Sequence, residues 1–508
     1  MCLLVLTGCV KHVQRRHVLP GAVATLDKRS PFLKAHRRDG GVYILADWRV
    51  DDSARALSGT GRLLGPDRQM RDSGRLVVAL DSVALFETNV VDASPSNQVM
   101  VALTFVTGVV TAACIASPKT CFGSCPTFYA ADGTGRPRLM AEGFSASVAP
   151  GLEATDVDAL PHASPSGSDG TLALHMTNEA WETHVVRYVR LLAAPRPAGG
   201  GRVLVTPDGE FYQTGRPVAP SRCAGPEGRS CRAALAALDG RERVRGVDST
   251  DLAARETIEL EFAAPGGDVG LVIGYRQSLV TTYLFYQALA WLGDAAGQWL
   301  VALERAPGAR ARAEALARAL GRIEVLAETA DGWVPAGSAG ETGPLATDVK
   351  LVPLPRLART GPVRVRLRMA QGLWRVDYVA VAPLGARVEP ARVRPAAVFG
   401  SDVPPAAAAA WIADSTRPLV TLPGDTVTIE FRLADAVANA PYGIELFLEA
   451  RGYYLEWMRE GWLAEQDPGR AARLYLDPAG ALRELAPAFK RLEGDLERRF
   501  WSSRYARP

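Results

Sequence analysis

Lysine is scarce in this chain, with six in 508 residues, so almost all of the positive charge is arginine. Basic and acidic side chains nearly cancel, at a net +3, and no stretch gathers a basic block. A protein that neutralises phosphates needs such a block or stripe, so a nucleic-acid partner is not expected. Histidine is equally rare, at six. No G-x-S-x-G, Walker A, H-E-x-x-H or EF-hand pattern occurs, which removes the local signatures of the common hydrolases, nucleotide binders and calcium sites. An acid/base pair would have to be assembled from distant residues, so the chain leans away from being an enzyme, without settling the matter. Long uncharged apolar runs are few, and the exceptional one is Val99–Ala116.

That exception supports two readings. Eighteen residues sit near the lower limit for a membrane span, whereas the Val and Thr content and Gly108 favour a buried strand pair. Behind it, Pro118 and Pro126 bracket Cys121 and Cys125, and Pro126 has no amide hydrogen to give a strand ladder. The cysteines therefore fall in a loop, spaced C-x6-C-x3-C-P from Cys114. Cys121 and Cys125 are close enough in sequence to bridge, Cys114 can replace either, and the connectivity stays open. A zinc site needs a fourth ligand and no histidine lies near, so no metal is assigned. Cys223 and Cys231 flank a short polar turn, CAGPEGRSC, which reads as a disulfide staple. With Cys2 and Cys9 set aside, five thiols remain, and one of Cys114, Cys121 and Cys125 is left over.

Along the chain, His12–Arg38 is basic and irregular, as in a tether leading to a domain edge. Val42–Leu45, Arg75–Leu80, Leu139–Val148, Thr171–Met176 and Arg202–Thr206 read as short strands, and Gly59-Thr60-Gly61 as turn glycine. His175, Glu179, Glu182 and His184 crowd together, but no single helix or strand face holds all four. They read as exposed polar positions on a strand and turn, with metal ligation the lesser alternative.

In the second half, Thr257–Phe262 and Thr426–Phe431 share the pattern T-φ-x-φ-E-F (φ, apolar), each followed by a loop and a Gly-initiated apolar strand, which suggests two related β units. Val363, Val365, Leu367 and Met369 alternate with Arg364, Arg366 and Arg368, and Gly372 then turns the chain into LWRVDYVAV. The expectation is an antiparallel hairpin with Arg364, Arg366, Arg368 and Trp374 as candidate ligand-facing positions. Tyr275–Gly293 is helix-length, apolar nearly all round and rich in Tyr and Trp. It is either a helix buried between sheets or, over Tyr275–Trp291, a docking face for an envelope protein partner. Trp457, Met458 and Trp462 begin a helical C-terminus in which Phe489, Leu492, Leu496 and Phe500 recur at helical spacing.

Several stretches resemble known proteins. Leu6-Thr7-Gly8-Cys9 is similar to the lipobox of bacterial lipoproteins. That resemblance implies cleavage of a signal peptide before Cys9 and acylation of its thiol as a membrane anchor in the lipid bilayer. Because the apolar segment ahead of it is short for a signal, the natural start is expected upstream of Met1. Val10 in place of Asp implies the outer membrane, facing the periplasm. C-x3-C-P-T is similar to the copper loop of the chaperones that assist cytochrome oxidase assembly, which implies Cu(I) on two thiolates as an alternative. The strand Trp374–Val379 resembles the last strand of galactose-binding-like jelly-roll modules, which implies carbohydrate binding as a further alternative. Taken together, PKTCFGSCPTFY, Glu341-Thr342-Gly343-Pro344-Leu345, GLWRVDYVAVA, RGYYLEWMREGWL and FWSSRY resemble a family of uncharacterised bacterial lipoproteins. That family implies location in the cell envelope and assigns no catalytic residues.

The expected fold is mainly β (α+β), with several β-sandwich or jelly-roll-like modules, an inserted apolar helix and a C-terminal helical cap. The expected order is a lipoprotein signal and tether (1–20), a small β module (21–95), a β domain with the apolar run and cysteine loop (96–220), a Cys-stapled loop (221–250), a β-sandwich-like domain with inserted helices (251–395), a second β unit (396–452) and C-terminal helices (453–508). The expected function is that of a non-enzymatic, lipid-anchored envelope protein acting as a binding or assembly module. Disulfides persist in that compartment. The alternatives are thiol-redox or copper handling at Cys114, Cys121 and Cys125, and carbohydrate binding.

Overall fold

Runs in which every second residue is apolar give strands one face for a core, and such runs dominate this chain. The computed structural model describes residues 12–92 and 125–502, apart from residues 19, 38–40, 52, 65–69, 166–169, 181, 264–265, 294–298, 300–306, 341, 356–360, 402, 416, 423 and 457–464. The described residues are mainly β, arranged in five antiparallel sheets.

The first sheet contains β1 (His12–Val18), β2 (Phe32–Arg37), β3 (Val42–Asp51), β4 (Ala56–Leu64), β5 (Met70–Ala79) and β6 (Val83–Asp92), in the order β1-β6-β2-β3-β4-β5. Leu33, Leu45, Leu57, Val78 and Phe86 form its core. Residues 12–18, expected in the tether, pair along their whole length with β6, which satisfies backbone groups that a tether would leave to water. Gly59 and Gly61, expected in a turn, lie inside β4. A Cβ on Gly61 would meet the Ile44 carbonyl oxygen at 1.9 Å, so the glycine lets β4 sit close against β3.

Past residue 125 come β7 (Thr127–Ala131), β8 (Pro137–Glu142), β9 (Ala154–Ala159), β10 (Thr171–Thr177) and β11 (Glu182–Pro195). They are followed by β12 (Arg202–Val205), β13 (Phe211–Thr214), β14 (Arg222–Ala224), β15 (Arg255–Phe262), β16 (Val269–Gln277), β17 (Ile323–Thr329), β18 (Gly332–Ala339), β19 (Asp348–Pro353), β20 (Val363–Ala370) and β21 (Trp374–Val388). The last five are β22 (Ala391–Val393), β23 (Ala397–Phe399), β24 (Leu419–Thr421), β25 (Thr426–Arg432) and β26 (Ile444–Glu456).

These strands form four sheets. The outer sheet β23-β25-β10-β7-β8 faces the inner sheet β22-β11-β26-β9 across Phe128, Leu174, Leu191, Ile429 and Leu448. The inner sheet β12-β13-β21-β16-β19 faces the outer sheet β14-β15-β20-β17-β18 across Ile258, Ile273, Val325, Leu367 and Val381. A further core of Leu192, Val203, Val272, Leu351, Ala380 and Phe447 joins the two inner sheets. The sheets are therefore stacked four deep, as two sandwiches back to back. Burial of the inner sheets on both faces explains why β16 reads VGLVIGY with no polar alternation.

The second sandwich, residues 202–388, is inserted between β11 and β22 of the first. Residues 396–452, expected as a separate unit, instead complete the first sandwich. Strand β25 pairs with β10 and β26 with β11, both along their whole length. The T-φ-x-φ-E-F repeat has a structural counterpart: β15 and β25 hold matching places in the two outer sheets, and each hands the chain to an inner strand, β16 or β26. Their neighbours match as well, β20 with β10, β14 with β23 and β21 with β11. One strand arrangement thus occurs twice, entered at different points of its circuit.

The hairpin expected around Gly372 is not formed. Strand β20 pairs with β15 and β17, while β21 pairs with β16 and β13 in the inner sheet. A strand buried on both faces pairs with other inner strands, and the chain crosses between sheets at Gly372 (φ +77°). A Cβ there would lie 2.5 Å from the Val247 nitrogen. Tyr275, Arg276 and Gln277, expected to open the apolar helix, instead finish β16, and the helix runs over Val280–Leu292. The helices Pro468–Leu476 and Pro478–Ser502 cover it as a cap. Tyr283 meets Phe489 with ring centroids 5.2 Å apart, and Leu474, Leu482 and Leu496 join the same core. Trp457, Met458 and Trp462 lie outside the described residues. Among the described residues, no helix is long and apolar enough to cross a membrane.

Phe447 stands between the inner sheets, edge-on to Phe211 with centroids 5.0 Å apart. Phe447→Ala should cost about 3–5 kcal/mol of stability in urea unfolding; a loss below about 1 kcal/mol would mean that the seam is not packed as described.

Candidate functional site

Of the C-x6-C-x3-C-P stretch, only Cys125 lies within the described residues; Cys114, Cys121, the Val99–Ala116 run and Cys9 lie outside them. Cys125 carries a free, buried thiol. Pro126 separates it from β7, where Thr127 and Tyr129 are both buried and share one face. Register places Thr127 beside Glu142 at the end of β8 and beside Thr177 at the end of β10. These three strand ends bring the polar groups together.

Glu142 is the centre of the cluster. One of its oxygens accepts the Cys125 thiol at 3.1 Å, and the other accepts the backbone N–H groups of Leu345 at 2.5 Å and Ala346 at 3.0 Å. Those amides belong to the loop between β18 and β19, in the other sandwich, and this loop contains the Thr342-Gly343-Pro344-Leu345 motif. Gly343 is required there, because a Cβ would lie 2.1 Å from the carboxylate. A buried carboxylate needs donors, and here two come from the neighbouring sandwich. Burial pushes the Cys125 thiol well above its ordinary range, and the charge of Glu142, its hydrogen bond and the charge of Glu182 push the same way. Cys125 is therefore held as a protonated thiol, whereas redox and metal chemistry use the thiolate.

Glu179 accepts hydrogen bonds from Tyr129 at 2.6 Å, Thr177 at 3.0 Å and Thr127 at 3.3 Å. Glu182 and His184 pair at 2.6 Å, and neither side chain is exposed at all. Asn178 donates to the carbonyls of Glu182 and Thr421. The expectation of exposed polar positions is thus corrected for Glu179, Glu182 and His184: the turn from β10 to β11 folds over the end of the sandwich and buries all three. His175 stays apart on β10, with Nδ1 at 2.9 Å from the Thr428 hydroxyl. Among the described residues, no group of three such side chains is placed to hold a metal.

Trp374 is not a ligand-facing residue. It is 2% exposed and packs edge-on to Tyr275 at 5.7 Å, because β21 belongs to an inner sheet. Arg364, Arg366 and Arg368 do face outward, but each is matched across the sheet by carboxylates: Arg364 by Glu261 and Glu328, Arg366 by Glu259 and Arg368 by Glu324. Such exposed pairs contribute little individually, and they leave the stripe committed to its own sheet. Cys223 and Cys231 form the expected disulfide, which fastens the short edge strand β14.

Beside Cys125 a cleft of about 240 Å³ opens between the two sandwiches and the start of the apolar helix. Cys125, Ser145 and Tyr454 line one side and Thr342 and Pro344 another, while Gln277, Thr282, Phe285 and Tyr286 close it. Among the described residues, no charged side chain lines it. Three stretches noted in the sequence, CPTFY, TGPL and RGYYLE, therefore converge here although they are far apart along the chain. Sequence reasoning missed Glu142, whose only signal is an acid set in the otherwise apolar end of a strand, Leu139-Met140-Ala141-Glu142. No protein-family model matches the chain, and comparison with curated proteins finds no match.

A raised thiol pKa means that the folded protein keeps a proton which the unfolded chain releases from about pH 8.5 upward. The stabilisation is complete below that value and is lost as pH rises towards the folded pKa. Stability should therefore fall more steeply between pH 8 and 10 in the wild type than in Cys125→Ala, as followed by urea unfolding across that range. Parallel profiles would show that Cys125 titrates normally.

Proposed function

We propose that this chain is a non-enzymatic, lipid-anchored protein of the bacterial cell envelope, held through Cys9 at the outer membrane facing the periplasm, and that it works as a binding or assembly module. Its two sandwiches are read as jelly-roll-like modules related by the repeated strand arrangement, with the helical cap bracing the second. The observation that carries the reading is the state of the groups at the candidate site. Cys125 is held protonated and the carboxylate of Glu142 is engaged by donors from two sandwiches, while a cleft whose described lining is uncharged stands beside them. Groups so committed form a rigid floor for binding.

The Cys223–Cys231 disulfide supports the compartment, because such bonds persist outside the reducing cytosol. The thiol-redox and copper alternatives would need a reactive thiolate, and burial beside Glu142 works against one at Cys125. An envelope partner expected on Tyr275–Trp291 would meet the helix where the cap leaves it open, at Thr282 and Phe285 on the cleft side.

A tagged copy should partition with the membrane fraction, and Cys9→Ala should release it into the soluble fraction. Unchanged partition of the variant would end the anchoring claim.

A further inference from the structure

We propose that the outward face of the first sheet is a membrane-contact surface, on which Arg49, Arg62 and Arg75 meet the anionic phospholipid headgroups of the bilayer. The inference rests on reading the chain as anchored through Cys9, and it adds how the anchored chain sits on the lipid.

Register assembles the face. In β2 to β5, Leu33, Leu45, Leu57 and Val78 turn into the sheet's own core, so the alternate positions turn the other way. Cross-strand pairing sets Arg62 opposite Ile44, Arg75 opposite Thr60, and Ser58 between Arg49 and Val77. The three arginines are far apart in sequence, yet they share one face of three adjacent strands, and all three are exposed.

Their lack of partners separates this face from the stripe on β20. There Arg364, Arg366 and Arg368 are each matched by a carboxylate on a neighbouring strand. Arg49, Arg62 and Arg75 have no hydrogen-bond or ion-pair partner among the described residues. Glu87 lies on the same face but is buried, and it already accepts from Lys34 at 2.8 Å. Asp51, at the end of β3, accepts from the Ser53 hydroxyl and the Ala54 amide of its own turn. Guanidinium groups without acceptors in the chain offer paired N–H donors to phosphate oxygens. Residues 12–92 carry 13 Lys and Arg against 10 Asp and Glu, an excess equal to the net +3 of the whole chain. The protein's surplus positive charge therefore belongs to this sheet's module.

Position and apolar content select a bilayer as the occupant. Cys9 stands three residues before His12, where β1 begins, and three residues reach at most about 11 Å. An acylated Cys9 therefore keeps this sheet at the lipid. Phe32 and Val77 are 53% and 67% exposed on the same face, and apolar side chains among basic ones suit the boundary between headgroups and acyl chains. The attraction of arginine to an anionic surface falls off within a Debye length, about 8 Å at physiological salt. The face thus orients a chain that the acyl group already holds, and does not retain it alone.

The test is co-sedimentation of the full chain carrying Cys9→Ala with vesicles of equal parts phosphatidylglycerol and phosphatidylcholine, and with vesicles of phosphatidylcholine alone. At about 10 mM salt, where screening is weak, the chain should sediment with the anionic vesicles and stay in solution with the neutral ones. Raising the salt to about 150 mM should release most of it. Arg62→Gln and Arg75→Gln should each weaken binding about fivefold, the share of one arginine near an anionic surface. Arg366→Gln removes the same charge from the other sandwich and should leave binding unchanged. No binding to anionic vesicles, equal binding to neutral ones, or an equal loss in Arg366→Gln would each overturn the inference. So would a dimer in sedimentation velocity that Arg75→Gln dissociates, because the face would then belong to a second copy. Anchoring is read separately from the partition of the native chain, so a chain held through Cys9 whose Cys9→Ala form ignores anionic vesicles would sink this inference and leave the envelope reading standing.

Discussion

The carboxylate of Glu142 is the constraint on which this end of the molecule depends. Buried without donors it would be costly, and its own sandwich supplies the Cys125 thiol. Two more donors come from Leu345 and Ala346, so satisfying one side chain fixes the position of a loop in the other sandwich. A second clasp lies further along the same seam. Lys350 meets Asp348 at 2.7 Å and donates to the Val157 carbonyl, while Asp348 accepts from the Ala159 amide at 3.1 Å. Asp158 stands close by. Burial, and then the charges of Asp156 and Asp348, lift its carboxyl well above the usual range. The apolar surface between the inner sheets supplies most of the attraction, while these polar contacts specify one register among the many that flat apolar sheets would accept.

The helical cap follows the same logic at the other sandwich. Its core contacts bury the apolar helix, and its far end is tied by ions: Glu497 reaches Arg276 at 2.5 Å and Arg375 at 2.7 Å, and Glu242 pairs with both arginines. Arg276 also donates to the Pro344 carbonyl at 2.5 Å, next to the residues that hold Glu142. Cap, inner sheet and site loop are thus joined through one buried guanidinium, and the cleft is framed by elements that cannot shift independently.

Local pattern carried much of the fold. Short strand-forming runs between turns marked β3, β10 and β12, period-2 alternation marked β15, β20 and β25, and turn chemistry marked the Cys223–Cys231 staple. The T-φ-x-φ-E-F likeness foreshadowed two equivalent strands. Pairing was not legible, because nothing within Thr426–Phe431 says that its neighbour is Thr171–Thr177 rather than the strand that follows it. The same limit produced the hairpin expected at Gly372 and the outward-facing Trp374. A Trp on an alternating strand faces a ligand if that strand lies at a surface and a core if its sheet is sandwiched, and only the third dimension separates the two. Glu179, Glu182 and His184 were misjudged for a related reason, since polar residues in a turn usually meet water and these meet one another.

The nesting of one sandwich inside the other has a consequence for biosynthesis. Strands β10 and β11 emerge from the ribosome long before β25 and β26, and everything from β12 to β21 comes between. Their edges and apolar faces must wait unpaired, which exposes the growing chain to mispairing. The inserted sandwich has all its strands in one continuous stretch and can condense as soon as β21 is made. It would then offer its inner sheet as a template on which the earlier half of the first sandwich lies until its partners arrive.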